Sequence, residues 1–338
     1  MQSILDDTIQ RFSAPLEREM RTVLGPAAPG YEAYWGMMNY HMGWVDPTWQ
    51  PVTGRSGKRV RPLLCLLACQ AAGGEWEQAL PAAAALELLH NFSLLHDDIE
   101  DHSDTRRGRD TVWKLWGVPQ AINVGDSMFA TAFGALVRLR ERSVPDSAVV
   151  QVLEIFSQAC IELTKGQHLD MRFEREPMVT VYEYLDMVEG KTAALLQGAC
   201  AIGAIVAGAS AVQRQRLALF GRNLGLAFQA YDDLLGIWGQ EEAVGKSTAS
   251  DILTRKKTLP VVFALAESEE FRQLYAQPSI DLPRVVQLLE QLGADKYASG
   301  MAQGFSEVAL DNLTAAEPKE PAGQMLAEMA NRLLRRKD

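Results

Sequence analysis

Residues 86–101 read LELLHNFSLLHDDIED, and residues 217–236 read LALFGRNLGLAFQAYDDLLG. Each is an apolar run with spacings of three and four, the signature of a buried helix, closed by adjacent acids. On a helix Asp97 and Asp101 lie one turn apart on the same face. Like charges at that spacing repel, so the arrangement calls for a cation. Oxygen ligands in pairs suit Mg2+, which takes one or two carboxylates and completes its shell with water and phosphate oxygens. Asp232 and Asp233 repeat the pattern on the second helix. The alternative for either pair alone is a solvated acidic helix end, which the helix dipole disfavours at a C-terminus. Two helices ending alike argue for a shared function.

Outward from these helices the same spacing recurs. Helices are expected near residues 1–24, 31–44, 58–72, 77–101, 119–142, 147–172, 180–208, 212–238, 256–268 and 282–336, the last broken in places. Gly25-Pro26, Asp46-Pro47, Gly73-Gly74, Pro145-Asp146 and Pro177 separate them. Few segments alternate with period two, and no repeat is evident. One all-α domain over residues 1–338, a helical bundle, is the expected architecture. The polar stretches 102–118 and 239–255 follow the two acidic helix ends, and both read as functional loops.

The chain has 338 residues, 47% of them hydrophobic, enough for a substantial core. Its formal net charge of -10 argues against nucleic-acid binding. Cys65, Cys69, Cys160 and Cys200 are too few and too scattered for a disulfide framework, and Cys65 and Cys69, one turn apart in an apolar helical run, read as buried thiols. The opening MQSILDDTIQRF has no apolar signal-peptide core, and the apolar stretch 199–212 is too short to span a bilayer. A cytoplasmic protein that is not integral to a membrane is expected. Gly245-Lys246-Ser247-Thr248 looks like the end of a phosphate loop, but position 240 is Gln and no strand precedes it, so nucleotide binding is not expected. Trp35, Trp44 and Trp49 read as packing or dimer contacts.

Cations flank the acids. Lys58, Arg59 and Arg61 open a helix, where backbone N–H groups and the dipole favour anions. Arg106 and Arg107 follow the first acidic cluster; Lys246, Arg255, Lys256 and Lys257 follow the second. Arginine grips diphosphate oxygens as a fork and lysine as a point charge.

The ordered set GKRVRP at 57–62, HNFSLLHDDIED at 90–101, RRGR at 106–109, GQHLD at 166–170, EGKT at 189–192, FQAYDDLLG at 228–236, GK at 245–246 and SDILTRKKTLP at 250–260 resembles the trans-isoprenyl diphosphate synthases, or polyprenyl synthetases. The resemblance covers residues 54–260. It implies a Mg2+-dependent, homodimeric, all-helical prenyltransferase that joins isopentenyl diphosphate to an allylic diphosphate. Carried over, Asp97, Asp101 and Asp232 are direct Mg2+ ligands, with Asp98 and Asp233 behind them. Arg106, Lys191, Lys246 and Lys256 contact the allylic diphosphate. Gly57, Lys58, Arg61, His90 and Arg107 form the isopentenyl diphosphate site. Gln167, Thr192 and Gln229 line the developing carbocation, and Phe228 packs on the isopentenyl group.

Phe92 and Ser93, five and four residues before Asp97, fall where the family closes its product tunnel. With an uninserted acidic motif they point to geranylgeranyl diphosphate, with farnesyl diphosphate as the neighbouring alternative. The second motif departs from the family at Gly236, where a third Asp is usual. That departure keeps a non-catalytic partner subunit open. A class I terpene cyclase is the other alternative, against which the isopentenyl diphosphate set argues. His41, His96, His102 and His168 are expected to have no role in the site.

Overall fold

In a computed structural model, residues 3–52, 57, 59–239 and 250–334 are described. Helices dominate, and the described residues fall into two compact units, Met1–Glu154 with Ile202–Ala209, and Ile155–Ala201 with Ser210–Asp338.

In the first unit α1 (Ile4–Leu24) starts at a capping box: the Ser3 hydroxyl accepts from Asp6 N and the Asp6 carboxylate accepts from Ser3 N, both at 3.2 Å. Such a cap is worth about 1 kcal/mol. Leu5, Phe12, Leu16 and Met20 form its buried stripe. After α2 (Glu32–His41), α3 (Val60–Ala71) begins at Arg59, which has the left-handed φ of 48°. The central helix is α4 (Leu80–Glu100), whose residues from Leu80 to Leu89 are all buried. The run Ala82–Ala85 keeps it thin enough for neighbours on several sides. It packs on α1, on α3 and most extensively on α6 (Val118–Val137), which follows the short α5 (Val112–Trp116).

The expected loop at 102–118 is structured. Thr105–Arg106 and Arg109–Asp110 pair antiparallel. Between them Arg107 and Gly108 have φ of 52° and 70°, the backbone of a tight two-residue hairpin turn. Trp49 stacks on Trp116 and the buried Trp44 lies under the Arg21 guanidinium, so these two of the three N-terminal tryptophans pack within the fold.

In the second unit, α7 (Asp146–Phe173) contributes its residues from Ile155 onward. The expected helix at 180–208 is interrupted: α8 (Val181–Val188) passes into a π-helical turn, Glu189–Ala193, and then into α9 (Ala194–Val206), whose residues from Ile202 belong to the first unit. The turn's wider winding inserts an extra residue, which α-helical periodicity in the sequence does not reveal. The long α10 (Ala211–Trp238) follows. After it come α11 (Ser250–Leu253), α12 (Leu259–Glu267), α13 (Glu269–Tyr275), α14 (Leu282–Gln291), α15 (Ala294–Ala315) and α16 (Ala322–Leu334). The helix expected from 256 starts at Leu259, with Thr258 as N-cap and Pro260 in the first turn, where its missing N–H costs nothing. Gly293, at φ 74°, separates α14 from α15.

All four cysteines are buried, and none is joined in a disulfide. By length and apolarity α7 alone among the described residues could cross a membrane, with a third of its apolar window buried. It carries Glu154 and Glu162 along its length, and a bilayer would penalise both.

Candidate active site

The first acidic pair sits where α4 runs out. Asp101 caps the helix, its N–H donating to the Asp97 carbonyl at 2.8 Å. The two adjacent acids differ sharply. Asp98 is 2% exposed and accepts from Arg106 Nε at 2.6 Å. Burial raises its pKa against the pull of Arg106. Asp97 is half-buried and Asp101 exposed. Arg106, expected on a diphosphate, is thus anchored by the acid expected to stand behind a metal ligand. The hairpin makes this possible, because it folds residues 105–110 back towards the end of α4.

The hairpin tip gathers part of the expected isopentenyl diphosphate set. The Arg107 guanidinium lies over Gly57, where a β-carbon would meet Nη2 at 2.8 Å, so a larger residue there would displace the guanidinium. Burial lowers the pKa of His90, and the charges of Arg61, Arg107 and Arg106 press it further down, so its imidazole is neutral. Arg61 Nε is buried without a hydrogen-bond partner, and Glu87, 3% exposed, has Oε2 in the same condition. Glu87 was not singled out in the sequence, yet its charge opposes the effect of burial on both Arg61 and Arg107. A buried acid beside these guanidiniums keeps the cluster from being one-signed. His41 joins this cluster, buried and pushed low by burial and by Arg107. Lys58 lies outside the described residues.

Below the acids on α4, the Phe92 ring contacts His96 at 4.7 Å and Phe129 at 4.9 Å, and Phe129 contacts Phe133 at 5.3 Å. Ser93 turns its hydroxyl back to the His90 carbonyl at 2.8 Å. His96 also lies against Gly125, where a β-carbon would meet its ring within 2.6 Å.

The second acidic pair repeats the division of labour. Asp233 is 5% exposed and accepts three hydrogen bonds: from Tyr184 Oη at 2.6 Å, Leu259 N at 2.7 Å and Gln229 Nε2 at 2.9 Å. Burial pushes its carboxyl up to about 7 although all three donors favour the charged form. Asp232 is exposed. Gln229, its amide nitrogen held by Asp233, presents Oε1 to the Thr192 hydroxyl at 2.9 Å. The expected carbocation residues Thr192 and Gln229 are therefore in contact, with Asp233 setting the orientation of the amide.

The π-turn is held residue by residue. Glu189 accepts both nitrogens of Arg222, at 2.6 and 2.5 Å. Gly190 meets Gly166, where a β-carbon on Gly190 would lie 3.0 Å from the Gly166 Cα. Lys191 donates to Asp170. Thr192 meets Gln229, and a β-carbon on Gly225 would come within 2.5 Å of the Ala193 Cα. Gly166 and Asp170 share one face of α7, as Arg222, Gly225 and Gln229 share one face of α10. Asp170, Tyr184, Arg222 and the three glycines were not assigned roles from sequence. Glycines within helical runs, which cost about 1 kcal/mol against alanine, were the available signal.

Gln167, Phe228 and Lys256 are half-buried, while Lys246 lies outside the described residues. At Gly236 the structure adds an acid that the sequence reading missed. A β-carbon there would lie 2.8 Å from Oδ2 of Asp251, so a carboxylate from α11 already occupies the space beside the missing aspartate. Restoring Asp at 236 would set two carboxylates against each other. Among the described residues no three His, Cys, Asp or Glu side chains form a preassembled metal cluster. A donor set of more accessible carboxylates, each beside a buried acid that is hydrogen-bonded within the protein, suits an ion that takes few protein ligands and several phosphate and water oxygens.

An all-helical chain whose acid-tipped helices adjoin arginine and lysine clusters has the composition of a diphosphate-handling site. The polyprenyl synthetase family model matches residues 43–292, and the chain belongs to that family. It is 38% identical to a (2E,6E)-farnesyl diphosphate synthase of Mycobacterium bovis over 334 residues, covering 95% of this chain and 88% of the relative. It is 42% identical to a geranylgeranyl diphosphate synthase of Mycobacterium tuberculosis over 288 residues, covering 83% of this chain and 81% of the relative. A crystal structure of a polyprenyl synthetase from Streptomyces coelicolor superposes with a TM-score of 0.88 at 35% identity, covering 96% of this chain and 98% of that one.

Proposed function

We propose that residues 1–338 act as one prenyltransferase domain that condenses isopentenyl diphosphate with an allylic diphosphate and releases geranylgeranyl diphosphate. The observation that carries this reading is the paired design of the acids. In each pair one carboxylate is buried and hydrogen-bonded within the protein, and its neighbour is more accessible in the C-terminal part of its helix. Asp97, Asp101 and Asp232 would hold Mg2+, with Asp98 and Asp233 fixing the helix ends behind them. Bound there, Mg2+ supplies positive charge that offsets the charge growing on a departing pyrophosphate.

The chain's own groups do the rest. Lys191, Lys246, Lys256 and Arg106 grip the allylic diphosphate, where their charge acts more strongly on the ionising state than on the bound substrate. Gly57, Lys58, Arg61, His90 and Arg107 seat isopentenyl diphosphate; a neutral His90 serves as a hydrogen-bonding group there and adds no further charge. The oxygens of Thr192, Gln229 and Gln167 face the allylic carbocation as fixed dipoles. The apolar surroundings, with Phe228 against the isopentenyl group, exclude water from it. The alkene carbon of isopentenyl diphosphate forms the new C–C bond, and a proton leaves to the released pyrophosphate. Holding both substrates in reach supplies much of the rate.

Phe92, packed on Phe129, ends the product channel at twenty carbons. The 42% identical geranylgeranyl diphosphate synthase supports that length, and the farnesyl diphosphate synthase keeps fifteen carbons as the competing one. The protein is cytoplasmic and not integral to a membrane in this reading, and exposed Ile122 and Val137 on α6 offer an apolar face to a second copy in a homodimer. The test is product analysis. Purified protein with Mg2+, labelled isopentenyl diphosphate and each of dimethylallyl, geranyl and farnesyl diphosphate should accumulate a C20 diphosphate. Label left wholly in isopentenyl diphosphate would remove the reading.

A further inference from the structure

The π-turn Glu189–Ala193 carries two of the proposed reacting-site residues, Lys191 and Thr192, in consecutive positions. In an α-helix neighbours point about 100° apart; a π-turn winds more slowly and brings them closer to one side. A π-turn gives up α-helical hydrogen-bond geometry, so something must hold it. Two of its restraints are close backbone approaches, Gly166 to Gly190 and Gly225 to Ala193. Two others, Asp170 to Lys191 and Gln229 to Thr192, involve the working side chains themselves. The remaining one does neither. Arg222 grips Glu189 through two parallel hydrogen bonds at the turn's first residue, away from Lys191 and Thr192. The Glu189 carboxylate raises the Arg222 pKa, largely through that hydrogen bond.

We infer that Arg222 is a positioning residue: by clamping Glu189 it fixes the entry of the π-turn and so aims Lys191 and Thr192. Arg222 lies one turn before Gly225 and two turns before Gln229 on the same face of α10, so one helix face gauges the turn at its start, end and working hydroxyl. A planar fork suits this task, because it fixes direction as well as distance. Loss of the clamp lets the turn relax towards α-helical winding, which rotates Lys191 and Thr192 relative to each other.

The inference deepens the prenyltransferase reading and rests on it. Its test uses the full chain with Arg222→Gln, Glu189→Gln, Arg222→Lys and the charge-exchanged pair Glu189→Arg with Arg222→Glu. Steady-state rates are measured with Mg2+, isopentenyl diphosphate and the fastest allylic primer, beside amide hydrogen exchange over residues 189–193. Each Gln variant should lose about 10–100-fold in kcat, the cost of misplacement on the order of 1 Å. The KM for isopentenyl diphosphate should stay within about twofold, since its site is not altered. Exchange in the turn should quicken about tenfold. Arg222→Lys should fall between, and the exchanged pair should recover most of both losses. Parental kcat and exchange in the Gln variants would overturn the inference. So would parallel losses in kcat, both KM values and melting temperature that the exchanged pair does not recover. If the parent makes no prenyl diphosphate, the functional reading fails by itself, and the exchange rates still decide whether Arg222 holds the turn.

Discussion

Gly166→Ala puts a methyl group where α7 crosses the π-turn. A β-carbon there lies 2.7 Å from both the Gly190 carbonyl carbon and the Lys191 Cα, and closer still to Lys191 N. Carbon atoms rest at about 3.5–4.0 Å, so the two backbones must part by roughly 1 Å. No flexible side chain can absorb this, because every obstructing atom is backbone. Overpacking of this kind costs about 1–3 kcal/mol. In a chain of this size that lowers Tm by roughly 1–4 °C. The same displacement moves Lys191 and Thr192, so kcat should fall by about 100-fold. Calorimetry and product-formation rates measure the two effects side by side. Gly134→Ala is the control: a β-carbon there meets nothing within 4 Å, on a helix where alanine is favoured by up to about 1 kcal/mol. A Gly166→Ala protein with parental Tm and parental kcat would refute the close crossing and the positional role of the turn together.

Further outcomes follow from the same geometry. Gly236→Asp places a second carboxylate against Asp251; at about 4 Å and an effective dielectric near 20 the repulsion is about 4 kcal/mol before relaxation. The variant should melt lower than the parent in metal-free buffer at pH 8 and recover as the pH falls and one acid takes a proton, so a pH-independent Tm difference would contradict the placement of Asp251. Asp233, with its carboxyl near 7 in the folded state and about 3.9 unfolded, contributes stability that is fully present below about pH 4 and is lost as pH rises through 7. Metal-free Asp233→Asn should therefore lack that part of the decline in Tm between pH 5 and 8, while losing about 1–3 kcal/mol at pH 5 because the Leu259 or Gln229 N–H is left facing an amide nitrogen; an unchanged slope would contradict it. Phe92→Ala should shift products beyond C20 by opening the space up to Phe129, read by chain-length chromatography, and an identical product distribution would remove its role as the channel floor.

Much of this was legible in residue spacing. The helices carrying LELLHNFSLL and LALFGRNLGLAFQAY announce themselves through apolar periodicity, and their acid tips by their charge. The hairpin at 105–110 did not, because two-residue strands cannot show alternation and Arg-Arg-Gly-Arg reads first as charge. Its backbone signal was Gly108, which with Arg107 supplies the two positive φ values. The π-turn is invisible for a different reason: it changes which carbonyl each N–H meets without changing the apolar pattern. Asp98 and Asp233 look like their neighbours in residue type, and the family resemblance alone told them apart by setting them behind the ligands; their burial depends on Arg106, Tyr184 and Leu259, which come from other elements. Asp251 could not be linked to Gly236 without knowing that α11 comes back alongside the end of α10.

The central claim is that the outward acid of each pair, and not its buried neighbour, serves the reaction directly. Isopentenyl diphosphate turnover by Asp97→Asn and Asp232→Asn, each checked for a parental melting curve, tests it most directly. Both variants should lose at least about 100-fold in kcat, with the fold intact. Near-parental turnover in either would contradict it.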